Sequence, residues 1–474
     1  MRPLLASALG VGLLLAWAAR PAGAQTFQPA TGTASWNVAA NWNPAVVPNA
    51  TGASATFNSA ATAQNPAQTG NRTVTLDGSK TVGSITFNND AANTFTNTIT
   101  AGTGGSLIFD ETGVGPATIT VTSIAGATGN NTISAPITLN DSLLATVDNI
   151  TASSAAGALN LTGTITGVGG FTKAGAGLAT FGSTAKTYTG ATVLSGGRMR
   201  ISLTAAPTAT SSFTINGGQL TLITDGTFTF GGGPLNLNGT GATTGPFAMF
   251  AGAIRNDSGR VVTITNTVVL QSDTLLHVQT ATTNGTTTGS LTFSNTVSGP
   301  GRLTLTAPGS DSNIGQYVLT GTNSYTGGTL VSGGNFVAGG ASTTAFGTGN
   351  VTVNNALSSA SVARVTIQAG ATNAIADTAT LTLAGGGTAG VADQNFAILE
   401  AGINETVGGL VLGGTAQTMA GTYGASGSGA MFTFDEYFTG SGIIKLVPVP
   451  EPAGVLLAAA GLLGAVRLVR RRRA

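Results

Sequence analysis

One short alternation recurs along most of the chain and limits what it can fold into. From Thr73 to Lys445, two to four apolar residues alternate with Thr or Asn and then stop at Gly or Asn. Examples are Thr73-Val74-Thr75-Leu76, Ser84-Ile85-Thr86-Phe87, Thr118-Ile119-Thr120-Val121 and Asn350-Val351-Thr352-Val353. Period-two alternation in β-branched residues, closed by Gly or Asn, predicts strands with one face buried. No internal segment sustains a helical period, and with 71 Gly in 474 residues nearly every window is interrupted. The expected fold class is all-β.

Strands this short cannot each bury a core. Stacked as turns of a solenoid they bury one continuous core, and the Thr, Ser and Asn left outside form ladders at ~4.8 Å. At ~20 residues per turn, about twenty turns fit, a rod near ~100 Å long. A string of β-sandwiches is the rival architecture, but its long connecting loops and buried aromatic pattern are not visible in the sequence.

Composition removes other classes. A mean hydropathy of +0.28 with 7% charged residues is too apolar for a disordered chain. The absence of Cys rules out a disulfide scaffold, thiolate zinc sites and Fe–S clusters. A single His makes a histidine metal site a poor reading, and no cofactor is expected.

The ends differ from the middle. Met1-Arg2, an apolar stretch from Leu4 to Ala19, and Ala22-Gly23-Ala24 have the order of a signal peptide (1–24), cut between Ala24 and Gln25. At the other end Val447-Pro448-Val449-Pro450-Glu451-Pro452 precedes an apolar run from Ala453 to Val466. Fourteen residues reach only ~21 Å, short of a ~30 Å hydrocarbon core, so the span is a short membrane helix. Arg467 and then Arg470, Arg471, Arg472 and Arg473 act as a membrane stop that stays cytoplasmic. Without the residues of both ends, 11 of 18 bases and 16 of 17 acids remain, a formal charge of about −5 that disfavours nucleic acid.

Residues 447–474 resemble the PEP-CTERM sorting signal of Gram-negative bacteria that make exopolysaccharide, carried by Pro450, Glu451 and Pro452, the short span and the Arg-rich tail. The resemblance implies a transient partner, an exosortase-type membrane protease that removes the anchor.

Within the solenoid region (73–446), Gly163 to Ser202 and Thr296 to Gly339 form an internal repeat. Tyr188-Thr189-Gly190 matches Tyr325-Thr326-Gly327, and each precedes a Ser-Gly-Gly turn at Ser195 and Ser332. The second copy inserts Pro308 to Asn313 where the first has Lys173-Ala174-Gly175. The unit resembles the autotransporter-associated β-strand repeat, which implies a right-handed parallel β-helix. Residues 25–72, with Trp36, Asn41-Trp42, Pro48 and Phe57, resemble the start of PEP-CTERM β-strand repeat proteins. They are expected to cap the first turn, the rival role being a sugar-stacking platform for the two Trp.

Catalytic constellations are sparse. His277 has Asp273 four residues away but no nucleophile elbow, and it reads as a strand-face residue. Gly385 to Gly390 matches GxGxxG formally, but no helical pattern follows. Asp110-Glu111 and Asp435-Glu436 are adjacent pairs that point to opposite strand faces, whereas glycosidase carboxylates must converge.

The sequence therefore reads as an exported, non-enzymatic structural or adhesive protein of the cell surface or extracellular matrix. It would touch the membrane only through its terminal segments, with exopolysaccharide or neighbouring surface proteins as partners. The alternative is a β-helix polysaccharide lyase or glycoside hydrolase, with carboxylates drawn from successive turns.

Overall fold

The computed structural model describes residues 23–62, 66–89, 94–123, 129–148, 159–242, 251–257, 259–279, 289–307, 315–339, 343–354, 363–384 and 396–447. Among them the chain is all-β, and its helical segments are two single 3-10 turns, Ala39–Asn41 and Leu203–Ala205. Residues 1–22 of the signal segment, the Pro308 to Asn313 insertion and Gly385 to Gly390 lie outside the described residues. So do Pro450, Glu451, Pro452, Arg467 and Arg470 to Arg473. No described helix is long and apolar enough to cross a membrane.

The predicted alternation places side chains in and out: Arg72–Leu76 and Ser84–Asn89 bury every second residue. Neighbouring strands are mostly parallel and stack into three long sheets, while a separate sheet of four strands, Asn404–Val407, Ile443–Leu446, Gly421–Gly424 and Phe432–Thr433, closes the far end. The first runs from Ser54–Asn58 through Ser84–Asn89 and Ala117–Ser123 to Val297–Ser298. The second runs from Gly32–Ser35 through Arg72–Leu76 and Asn97–Ala101 to Gly409–Leu412. The third begins at Ser79–Val82, thins to single bridges at Lys186 and Pro207, and resumes at Gly226–Phe228 to end at Phe438–Gly440. The chain visits the sheets in rotation, as Arg72–Leu76, Ser79–Val82 and Ser84–Asn89 do, so it is a β-helix-like coil. One buried cluster fills it from Phe27 to Leu446.

The turns are longer and fewer than expected. One turn takes 20 residues between Leu178 and Arg198 but 34 between Asn97 and Asn131, because corner segments lengthen many turns. Among the described residues fifteen strands stack in the second sheet rather than about twenty, which at ~4.8 Å per strand gives a length of ~70 Å.

Both ends exchange parallel for antiparallel pairing. Gln25–Phe27 pairs antiparallel with Trp42–Asn43, and at the far end Gly409–Leu412 folds back onto Thr415–Ala416. An open strand edge is a template for association, and these returns cover it. Trp36 and Trp42 are buried, edge-to-face at 4.7 Å. Their indole N–H groups donate to the carbonyls of Pro48 at 2.9 Å and of Trp36 at 2.8 Å. Neither ring offers an open face for a sugar to stack on.

The two repeat copies share their local structure. Thr189 N donates to Gly167 O and Thr326 N to Gly299 O, both at 3.0 Å. A Cβ at Gly190 would lie 2.3 Å from Gly170 N, and one at Gly327 2.4 Å from Arg302 N, so only glycine fits either turn. Yet Phe171–Ala174 belongs to the first sheet and its counterpart Leu303–Thr306 to the second. The copies are therefore rotated by one face about the coil axis.

Candidate functional faces

The acidic residues hold the corners together. A carboxylate at a turn accepts a backbone N–H from the neighbouring turn: Asp77 from Thr103 at 3.0 Å, Asp141 from Glu111 at 2.7 Å, Asp225 from Val261 at 2.8 Å. Asn49, Asn71 and Asn350 do the same for Thr81, Thr96 and Thr380. Such bonds satisfy N–H groups that a corner would otherwise leave without a ladder partner.

The two acidic pairs singled out by sequence are engaged in bonds of other kinds. Asp110 accepts from the amide of Asn140 at 3.1 Å, whereas Glu111 turns to Thr112, whose N–H lies at 2.8 Å. Asp435 accepts the N–H and hydroxyl of Ser426, both at 2.6 Å, which hold its carboxyl below the usual range. Among the described residues no group of three or more His, Asp or Glu could hold a metal ion. Gln25, preceded by exposed Ala24, heads the first strand with its side chain buried.

His277 lies on the outward side of Val268–Val278 in the second sheet. A column runs through it in register: Arg200, Thr221, Arg255, His277 and Thr306. Asp257 lies 3.4 Å from Arg200 and 3.6 Å from Arg255. Arg198 donates its Nε to Thr221 at 2.8 Å, and burial followed by the nearby guanidiniums lowers it to about 9. His277 Nδ1 is 3.2 Å from the Thr306 hydroxyl, and burial, then Arg255, lowers the imidazole to about 4, so it is neutral at pH 7. Asp273 does not orient it, because that carboxylate accepts Arg302 N–H at 3.0 Å and pairs with the Arg302 guanidinium at 3.4 Å. The column was invisible in the sequence, since its members are separated by unequal intervals.

Other stretches of the outer face are neutral. In the first sheet Ser54 and Thr56 stand in register with Ser84 and Thr86, and these with Thr118 and Thr120. Ser84 Oγ donates to Ser54 Oγ at 2.7 Å, Asn88 to Asn58 at 2.8 Å, and Thr122 to Asn88 at 3.1 Å. The second sheet repeats the motif, with Thr73 and Thr75 registered on Thr98 and Thr100. Ladders of this kind were expected from the alternation. Comparison with protein-family models, curated proteins and solved structures finds no match for this chain.

Proposed function

We propose that the protein is an exported, non-enzymatic structural or adhesive component of the surface or extracellular matrix of a Gram-negative bacterium. The coil would be a right-handed parallel β-helix carrying autotransporter-associated repeats. It would be delivered by the signal at 1–24 and sorted by an exosortase-type protease that acts at Pro450-Glu451-Pro452. One observation carries the adhesive reading: carboxylates are spent on tying corners together, while the outer faces repeat neutral hydroxyls and amides in register. Repetition of weak groups along a rod favours multivalent contact over chemistry at one point.

The sorting half is tested by replacing Pro450, Glu451 and Pro452 with Ala. Export should persist while the protein stays in the inner membrane with its tail, as read by fractionation and the mass of its C-terminus. Unchanged processing removes the exosortase reading. The non-enzymatic half is tested by prolonged incubation with exopolysaccharide, whose chain length should not change. Shortening that one carboxylate substitution abolishes would favour the lyase or hydrolase alternative instead.

A further inference from the structure

We infer that the outer face of the first sheet, at the N-terminal end of the coil, docks a neutral polysaccharide whose extended chains are already packed in order. This deepens the adhesive reading and rests on it. Ser54, Thr56, Ser84, Thr86, Thr118 and Thr120 form a two-column grid in register across three turns. All six keep part of their surface in solvent, whereas Ala55, Ile85 and Ile119, which lie between the columns, point into the core. The grid repeats at ~4.8 Å from strand to strand along the axis and ~6.7 Å along each strand. One hydroxyl per turn is close to one per hexose along a glycan laid parallel to the axis, and the second column meets a neighbouring chain.

Three physical points select the partner. The grid contains no ionisable side chain, and the chain without its two ends carries a formal charge of about −5, so acidic polymers are repelled and neutral ones are not. The hydroxyls are held before contact, since Thr is stiff at χ1 and the Ser84–Ser54 bond of 2.7 Å fixes a second pair. A rigid array of weak groups gains most from a ligand that is rigid as well, because a flexible chain loses conformational freedom at every contact. An ordered solid has lost that freedom already.

The test uses the mature protein in sedimentation with microcrystalline cellulose, with an insoluble β-1,3-glucan, and with alginate-coated beads. Wild type should sediment with at least one neutral solid, nearly independently of salt, and not with alginate. Thr86→Glu with Thr120→Glu should weaken that binding at least tenfold. Thr86→Val with Thr120→Val, which keeps the shape and removes the hydroxyls, should weaken it in the same direction. Thr352→Glu, on another sheet, should bind as wild type, with circular dichroism confirming the fold of each. Full binding by both double variants overturns the location and leaves the adhesive reading standing. Preference for alginate overturns the ligand class, and no binding to any of the three overturns the inference together with adhesion to these glycans.

Discussion

Lys173 and Lys186 point into the coil, where an ammonium is the least expected group. Lys173 Nζ donates to the carbonyls of Ala174 and Gly175 at 2.8 Å and of Gly196 at 3.0 Å. Lys186 Nζ donates to Gly163 at 2.9 Å and Thr184 at 2.8 Å. Burial lowers the first to about 7, with Asp148 opposing, and the second to about 8. Above those values the unfolded chain holds protons that the folded chain has released, so stability should rise as pH climbs from about 7 towards 10.5. Glu405 acts in the lower range: burial raises it from 4.5 to about 7, so its own contribution to stability falls as pH rises across that window. His277, lowered by burial from 6.5 to about 4, opposes Glu405 there, so urea midpoints should stay nearly level from pH 4 to 7 and climb from pH 7 to 10. Lys173→Met should flatten part of the upper limb and cost little, because the matching site in the second copy is Leu305. There Ser332 N bonds Leu305 O at 2.9 Å, as Ser195 N bonds Lys173 O. A wild-type profile without the upper rise would refute the assignment.

The element that repeats best is a tyrosine turn. Tyr188 is wholly buried with its hydroxyl 2.7 Å from Thr192 Oγ1, and Tyr325 sits likewise 2.6 Å from Thr329 Oγ1. Thr329 in turn donates to Phe346 O at 3.0 Å, so it accepts from Tyr325. Tyr325→Phe removes a donor and leaves Thr329 bonded, so thermal unfolding should shift by about 1 kcal/mol. Thr329→Val strands a buried hydroxyl and should cost more, about 1–3 kcal/mol. Equal costs would mean the pair is not coupled as drawn. The sequence made Tyr-Thr-Gly legible but not the threonine four residues on, because nothing in one dimension says that the turn brings the two together. The strands were legible for the opposite reason: the alternation of Arg72–Leu76 is itself the in-out order of its side chains. Turn length was not, since a corner segment holds few residues or many without disturbing the register. Lys173 occupied an inward place in Phe171-Thr172-Lys173, but its carbonyl cage includes Gly196, 23 residues away.

A coil in which each turn touches only the turns beside it has stability that is local in origin. The position of a lesion should therefore matter as much as its size. Leu303 is buried in the second sheet between the strands of Thr274 and Thr329, so Leu303→Asp places a charge where both neighbouring turns depend on it. The cost is several kcal/mol, and it falls on the middle of the stack. Trp42→Ala removes a large aromatic side chain from the end, where Trp42 closes over Phe27 at 5.1 Å and Phe57 at 6.0 Å. Its cost, about 3–5 kcal/mol, falls on turns with a neighbour on one side only. Hydrogen exchange read by peptide mass should separate the two. Leu303→Asp should deprotect 274–331 and leave 72–147 as slow as in wild type. Trp42→Ala should fray 25–58 first and fade towards the interior. If instead both substitutions loosen the whole coil evenly, its turns share a single cooperative unit, and the account of a core passed from each turn to the next is wrong.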